Sequence, residues 1–294
     1  MSPSIDARVQ LELGGRLARF HCVGASDRGS VRTLNEDSFR ASFPIFLVAD
    51  GMGGHAFGDR ASQSAVAVFA KEFGENEPTT PERVLGAIHR ANDAVQAITQ
   101  DSDAVSGTTL AGVAFVAIGE TGGGHWMVFN IGDSRVYNWD GRQLTQLSVD
   151  HSVVQELVDL GSITRQQAAR HPDRNIVTRA LGADVTVDPD IWLFPITASQ
   201  AFLVCSDGLT KELNDDEIAR IIVFHSSELL REPEESSITL AERLVNAAIA
   251  AGGSDNVTAI VVESELVGVT SGPAGDTVDR GAMPSFLEET RPRG

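Results

Sequence analysis

Four apolar runs that each meet an aspartate constrain this chain more than any other feature. Ile45-Phe46-Leu47-Val48-Ala49 leads straight into Asp50-Gly51-Met52-Gly53-Gly54-His55. A run of that kind reads as a buried strand, and the glycines read as a turn that brings backbone close to a neighbour. Ala201 to Cys205 leads into Ser206-Asp207-Gly208. Val128 to Ile131 leads into Gly132-Asp133, and Ser254-Asp255-Asn256 precedes Val257 to Val262. An ionised carboxylate at the end of a buried strand is costly unless it is paired or holds a cation. One such aspartate is equally well a helix cap or a strand-end turn. Four of them suggest carboxylates gathered at one rim, where they raise one another's pKa unless cations bind. Oxygen ligands without a Cys/His cluster point to Mg²⁺ or Mn²⁺ rather than Zn²⁺.

Composition narrows the class. The chain has 294 residues, 42% hydrophobic and 22% charged, with a net charge of −18. That fits a globular protein of one large domain or two small ones, long enough for a sizeable core. The acidity argues against nucleic acid or anionic membrane as partner, and no Lys/Arg-rich run offsets it. Cys22 and Cys205 lie in different strands outside any CxxC pattern and read as small core residues. The start lacks the basic-then-apolar pattern of a leader, and no apolar run approaches ~18 residues. A reducing, cytoplasmic setting and a monomer are the expectations.

Taken in order, residues 1–19 read as a loose arm or an added edge strand. Phe20 to Ser26 is a short strand, and the charged stretch Asp27 to Asp37 is a functional loop. Ser38 to Phe43 and Ile45 to Ala49 form an antiparallel pair. Helical spacing follows from Phe57 to Phe73 and again from Pro81 to Ile98. Thr108 to Ile118 is a long strand, His125 to Ile131 the next, and Asp140-Gly141 turns a hairpin between Arg135 and Leu147. Residues 148 to about 186 break the pattern with two short helices and suit either a flap over a site or an ordinary surface excursion. The last third reads as strands Thr186 to Leu193 and Ala201 to Cys205, then a helix Asp215 to Phe224. An acidic loop Glu228 to Glu235, a helix Ile238 to Ala251 and a strand Asn256 to Glu263 complete it. Composition predicts a disordered tail over 266–294. Blocks of strands and blocks of helices predict an α+β layered architecture.

Two divalent cations ~3.5–4 Å apart can clamp a phosphoryl group for hydrolysis. The carboxylate candidates are Glu36, Asp37, Asp50, Asp133, Asp207 and Asp255. Arg32, four residues before Glu36, is suited to bidentate phosphate binding; its other reading is a loop arginine paired with Glu36 or Asp37.

At these residues the chain resembles the metal-dependent PP2C-type (PPM) Ser/Thr protein phosphatases, the bacterial ones in particular. The matching pieces are Ser26 to Gly29, Arg32 to Asp37, Val48 to His55, Ser106 to Thr109, Asn130 to Arg135 and Asp150 to Ser152. Asn175 to Gly182, Cys205 to Leu209 and Gly253 to Thr258 complete the set. They occur in order across about residues 20–263, and 20–265 is taken as the phosphatase domain. The resemblance implies an α-β-β-α four-layer sandwich, two antiparallel sheets flanked by helices. It implies hydrolysis of phosphoserine and phosphothreonine by a hydroxide shared between Mn²⁺ or Mg²⁺ ions, two per chain with a third in bacterial members. By the same resemblance Asp50 bridges both metals and the Gly51 carbonyl is a ligand of the second. Asp207 and Asp255 hold the first, Glu36 serves the second, Asp133 serves the third, and Arg32 binds phosphate. Thr108 and Thr109 are expected to pack beneath the site. Phosphorylated Ser/Thr proteins are the implied substrates and a cognate Ser/Thr kinase the implied partner.

One departure concerns the proton donor. Animal members carry a histidine soon after the bridging Asp-Gly; Met52 stands there, and His55 lies nearby. A catalytically inactive phosphoprotein- or kinase-binding relative is the rival reading. Loss of the metal-ligating aspartates would favour it, and all of them are present. Anti-sigma-factor antagonists and small phosphate esters are rival substrates.

Overall fold

The computed structural model describes residues 4–13, 16–53, 57–74, 77–98, 106–119, 123–231 and 238–267. In chain order the first elements are β1 (Ser4–Leu13), β2 (Arg16–Asp27), β3 (Asp37–Ser42), β4 (Ile45–Gly53), α1 (Gly58–Glu72) and α2 (Pro81–Gln96). Then come β5 (Ser106–Thr108), β6 (Leu110–Ile118), β7 (Gly123–Ile131), β8 (Arg135–Trp139), β9 (Leu144–Gln146), α3 (Val153–Asp159) and α4 (Arg165–Ala168). The last are β10 (Asp190–Pro195), β11 (Ser199–Cys205), α5 (Asp207–Glu212), α6 (Asp215–Arg231), α7 (Leu240–Ala251) and β12 (Val257–Val267).

The strands make two six-stranded antiparallel sheets. One runs β1-β2-β12-β11-β8-β9; the other runs β10-β7-β6-β4-β3, with β5 paired to β4. Strands buried on both faces explain the continuous apolar runs. In β4, Phe46 and Val48 face the other sheet, while Ile45, Leu47 and Ala49 face the helices. In β12, Ile260 and Val262 point inward and Val257, Ala259 and Val261 outward. Between the sheets, Phe20, Phe43, Phe115 and Trp126 pack at centroid distances of 4.9 to 5.8 Å. Each such ring contributes ~1.5–3 kcal/mol by burial. Helices α1 and α2 cover the outer face of the second sheet, and α5, α6 and α7 cover the first. The result is the expected α-β-β-α sandwich.

Local rules set the helix starts. Thr80 caps α2 by accepting from the Arg83 N–H, with Pro81 at the first position. Thr239 and Glu242 form a capping box on α7.

Several expected boundaries move. Residues 4–13 are an edge strand rather than a loose arm, paired with β2 from Ser4↔Ala25 to Leu13↔Arg16. The strand after the flap begins at Asp190, not Thr186, because Pro189 has no N–H to give a ladder. Helix α6 continues to Arg231, through residues expected in an acidic loop. The long strand over 108–118 breaks at Thr109 into β5 and β6. Leu266 and Val267 belong to β12, opposite Ala18 and Leu17; the rest of the expected tail lies outside the described residues. Both cysteines are free and buried.

Candidate metal centre

The site lies where strand ends from both sheets meet. Asp50 stands opposite Asp37 in the β3–β4 ladder. Its backbone is held on both sides. The Asp50 N–H donates to Thr109 Oγ1 at 2.9 Å, and its carbonyl accepts from Thr108 Oγ1 and the Thr109 N–H, each at 2.9 Å. Thr109 Oγ1 is 2.7 Å from Ser134 Oγ. The two threonines therefore anchor Asp50 by hydrogen bonds, beyond the packing role expected of them. The break between β5 and β6 is what aims both hydroxyls at one residue.

Glycine allows the close approach beside it. The Gly51 N–H donates to the Glu36 carbonyl at 3.2 Å, and a Cβ on Gly51 would meet the Gly58 carbonyl at 2.1 Å. Gly58, the first residue of α1, forms the floor of a small cradle. A Cβ there would sit 2.5 Å from Glu36 Oε1 and 3.0 Å from the Gly51 carbonyl oxygen. The two oxygens expected to serve one cation thus border the same empty corner.

Asn256 orders the loop that carries Arg32 and Glu36. Its Nδ2 donates to the carbonyls of Arg28 and Leu34, each at 2.9 Å, and its Oδ1 accepts from the Glu36 N–H at 2.9 Å. Three bonds from one side chain fix both ends of the segment. The sequence motif contains Asn256 but does not reveal this role.

The sequence-derived carboxylates do converge. Burial raises the Asp50 pKa well above the usual carboxylate range, with Asp37, Asp207 and Asp133 adding to the rise and Lys211 opposing it. Burial pushes Asp133 up to about 7, reinforced by Asp207 and Asp150. It also pushes Asp37 up to about 7, against hydroxyl donors from Thr258 and Ser206 at 2.7 and 2.8 Å. Asp207 is raised by burial despite Lys211, with Asp255 adding to the rise. Glu36 is raised by burial, with Arg32 opposing. Asp255 behaves differently. Burial would raise it, but Lys211, the Asn256 N–H and Arg32 together leave it lowered.

Two cations face these acids. Arg32 forks onto Asp255, with Nε 2.8 Å from Oδ1 and Nη2 3.0 Å from Oδ2. The loop arginine thus pairs with Asp255 rather than with Glu36 or Asp37. Lys211 Nζ lies 2.5 Å from Asp207 Oδ2 and 2.8 Å from Asp255 Oδ2. Nothing in the sequence motifs singles out Lys211. The i,i+4 spacing from Asp207 in a short helix is the one signal that does.

These residues fit hard divalent cations. Every donor is oxygen. Asp37 Oδ1 and Asp207 Oδ1 are buried and accept no hydrogen bond. Such atoms cost free energy unless something positive meets them. Among the described residues, however, no three acids already close around one point as a ligand shell. Lys211 stands among them instead. His55 lies outside the described residues.

Residues 148–186 attach to this rim through backbone and side chains. Leu181 exchanges hydrogen bonds with Thr108, at 2.9 and 3.1 Å. His151 Nδ1 accepts from the Gly132 N–H at 3.0 Å, next to Asp133. Arg135 holds Asp150 through Nε at 2.9 Å and Nη2 at 2.6 Å. Between these ties, α3 and α4 bury none of their residues.

Residues 25–247 match the family model described as protein phosphatase 2C. The chain belongs to this family. It is 37% identical over 242 residues to the serine/threonine protein phosphatase PstP of Mycobacterium tuberculosis, covering 81% of this chain but only 44% of that protein. It is 34% identical over 258 residues to the serine/threonine phosphatase stp of Listeria monocytogenes, covering 84% of this chain and 96% of the relative. The catalytic domain of PstP, solved in complex with two manganese ions, superposes with a TM-score of 0.70 at 34% identity, over 84% of this chain and 99% of that one. Among the described residues, no helix is long and apolar enough to cross a membrane.

Proposed function

We propose that the chain is a Mn²⁺- or Mg²⁺-dependent phosphatase of phosphoserine and phosphothreonine in proteins. The observation that carries this reading is the set of buried and half-buried acids from both sheets, two of whose oxygens have no donor. Asp207 and Asp255 would hold one cation, Glu36 with the Gly51 carbonyl would serve a second, and Asp133 with Asp207 a third, with Asp50 as the carboxylate common to the first two. Bound there, the cations supply phosphoryl charge neutralisation and an acidified water. The chain's own residues do the rest. Thr108 and Thr109 fix where the Asp50 carboxylate points. Asn256 fixes the loop that presents Arg32. The Arg32 guanidinium already spans one carboxylate with two donors, and the same fork fits two oxygens of a phosphate monoester. Substrate binding transfers that fork from Asp255 to the phosphate. A phosphorylated protein, and a kinase that makes it, are the partners this chemistry requires.

The test is hydrolysis of a phosphothreonine peptide across a Mn²⁺ titration, for the wild type and Arg32→Ala. Activity is expected to need the metal and to vanish with chelator. Arg32→Ala is expected to raise KM and lower kcat/KM about tenfold or more, with no rescue by excess Mn²⁺. Full restoration by Mn²⁺ would make Arg32 a support for Asp255 and remove it from phosphate binding. Full activity after exhaustive chelation would end the metal reading.

A further inference from the structure

Lys211 is a charge in the wrong place for a plain metal site. It sits on α5 one turn after Asp207, so both side chains share a helix face. Its ammonium touches Asp207 and Asp255, the two acids read as ligands of the first cation. Its side chain is 27% exposed, so the charge is largely withdrawn from water. Burial alone would lower its pKa, but Asp207 and Asp255 outweigh burial and raise it. Lysine here is a compact charge on a flexible stem.

We propose that Lys211 competes with the first divalent cation for Asp207 and Asp255, so that metal loading displaces a tethered ammonium and its affinity is set by that displacement. The inference rests on the ligand assignment given above. Three features carry it. The ammonium contacts one oxygen of each acid, Oδ2 of Asp207 at 2.5 Å and Oδ2 of Asp255 at 2.8 Å. The remaining Asp207 oxygen accepts no hydrogen bond, so Lys211 satisfies the pair only in part. Arg32 also engages both Asp255 oxygens and shares Oδ2 with Lys211, so a cation arriving there meets two positive charges. A like charge a few ångströms from a divalent ion weakens its binding, and a tether makes the competitor independent of concentration. The chain would thus hold its acids together without metal and load metal only above a set cation level. Arginine would compete in the same way through its charge; an uncharged side chain of similar length would not.

Isothermal titration of Mn²⁺ into the full chain tests this, with electron paramagnetic resonance counting the bound ion. The variants are Lys211→Met, Lys211→Arg and Asp207→Asn. Lys211→Met is expected to tighten the stronger Mn²⁺ site about tenfold or more. It should also lower the melting temperature in chelator and widen the upward shift that Mn²⁺ produces. Lys211→Arg should stay within about threefold of wild type. Should Lys211→Met fail to fold, Lys211→Gln replaces it, with the same expected direction. Unchanged or weaker Mn²⁺ binding on removal of the charge overturns the proposal. Asp207→Asn separates the two levels of inference. If it leaves Mn²⁺ binding intact, the ligand assignment itself has failed. If it weakens binding while Lys211→Met changes nothing, only the competition has.

Discussion

Asp50 and Asp255 are the same residue at the rims of facing sheets, and they are held in opposite ways. Asp50 is fixed through its backbone by two threonines, while its carboxylate faces Asp37, Asp133 and Asp207. Asp255 is fixed through its carboxylate, by Lys211 and Arg32. Their pKa values move in opposite directions for that reason, up for Asp50 and down for Asp255. One rim of the site thus waits for positive charge and the other already has it. Burial alone does not decide what a carboxylate does; the nearest counter-charge does.

The sharpest way to break this contrast is Asp50→Asn. It removes the charge and keeps the backbone bonds. Phosphopeptide turnover at saturating Mn²⁺ should fall by orders of magnitude, while the metal-free melting temperature holds or rises, since one repelling charge is gone. A variant that keeps more than about a tenth of the wild-type rate, a loss of under ~1.4 kcal/mol, would remove Asp50 from its bridging role.

Gly58→Ala probes the same rim from its floor. The new methyl would enter the corner shared by Glu36 Oε1 and the Gly51 carbonyl. Mn²⁺ binding measured by calorimetry should lose one class of site or weaken about tenfold. Alanine is otherwise the better helix former by about 1 kcal/mol, so undiminished binding with a raised melting temperature would show that no cation uses the corner.

Thr109→Val tests the backbone grip. It leaves the part-buried Asp50 N–H without its acceptor, at a cost of about 1 kcal/mol in denaturant unfolding. Turnover should fall with it. A stability loss with unaltered kinetics would mean that the strand, not the hydroxyl, aims Asp50.

The smallest effect is expected far from the site, where His21 bridges Asp6 and Glu263 at 3.0 and 3.1 Å. Its pKa is raised chiefly by the Glu263 hydrogen bond, against burial and with help from Asp6. A histidine raised on folding stabilises most below its unfolded pKa, and that gain disappears as pH climbs through the folded value. The melting deficit of His21→Gln should therefore be about 2 °C near pH 6 and vanish by pH 9, in keeping with at most ~1 kcal/mol for a partly exposed pair. An equal deficit at both values would show that packing, not charge, ties β1 to its sheet.

Much of this was legible in the residues. Apolar runs ending in aspartate mark strand ends because few other arrangements tolerate that junction, and the four aspartates do meet. What pairing decides was harder to read. Ile5, Ala7, Val9, Leu11 and Leu13 alternate with polar residues, yet only the ladder to β2 separates an edge strand from an arm. Glu228 to Leu230 read as the start of an acidic loop, but α6 carries them on a solvated flank. Counter-charges were the least legible. Lys211 and Asp255 are 44 residues apart in sequence and meet because α5 and β12 end side by side.

Asp37 has a consequence of a different kind. It belongs to one sheet, while its two hydroxyl donors, Ser206 and Thr258, sit at the strand ends of the other. This is a registration mark between the layers. Sliding one sheet past the other by a single ångström would stretch both bonds and shift the rims relative to each other. The aromatic filling between the sheets sets their spacing but is tolerant of shear, because apolar contact has no direction. Directional bonds at the rim are not tolerant. Drift in the filling can therefore accumulate across related sequences without disturbing the centre, provided that this one carboxylate keeps its two hydroxyls.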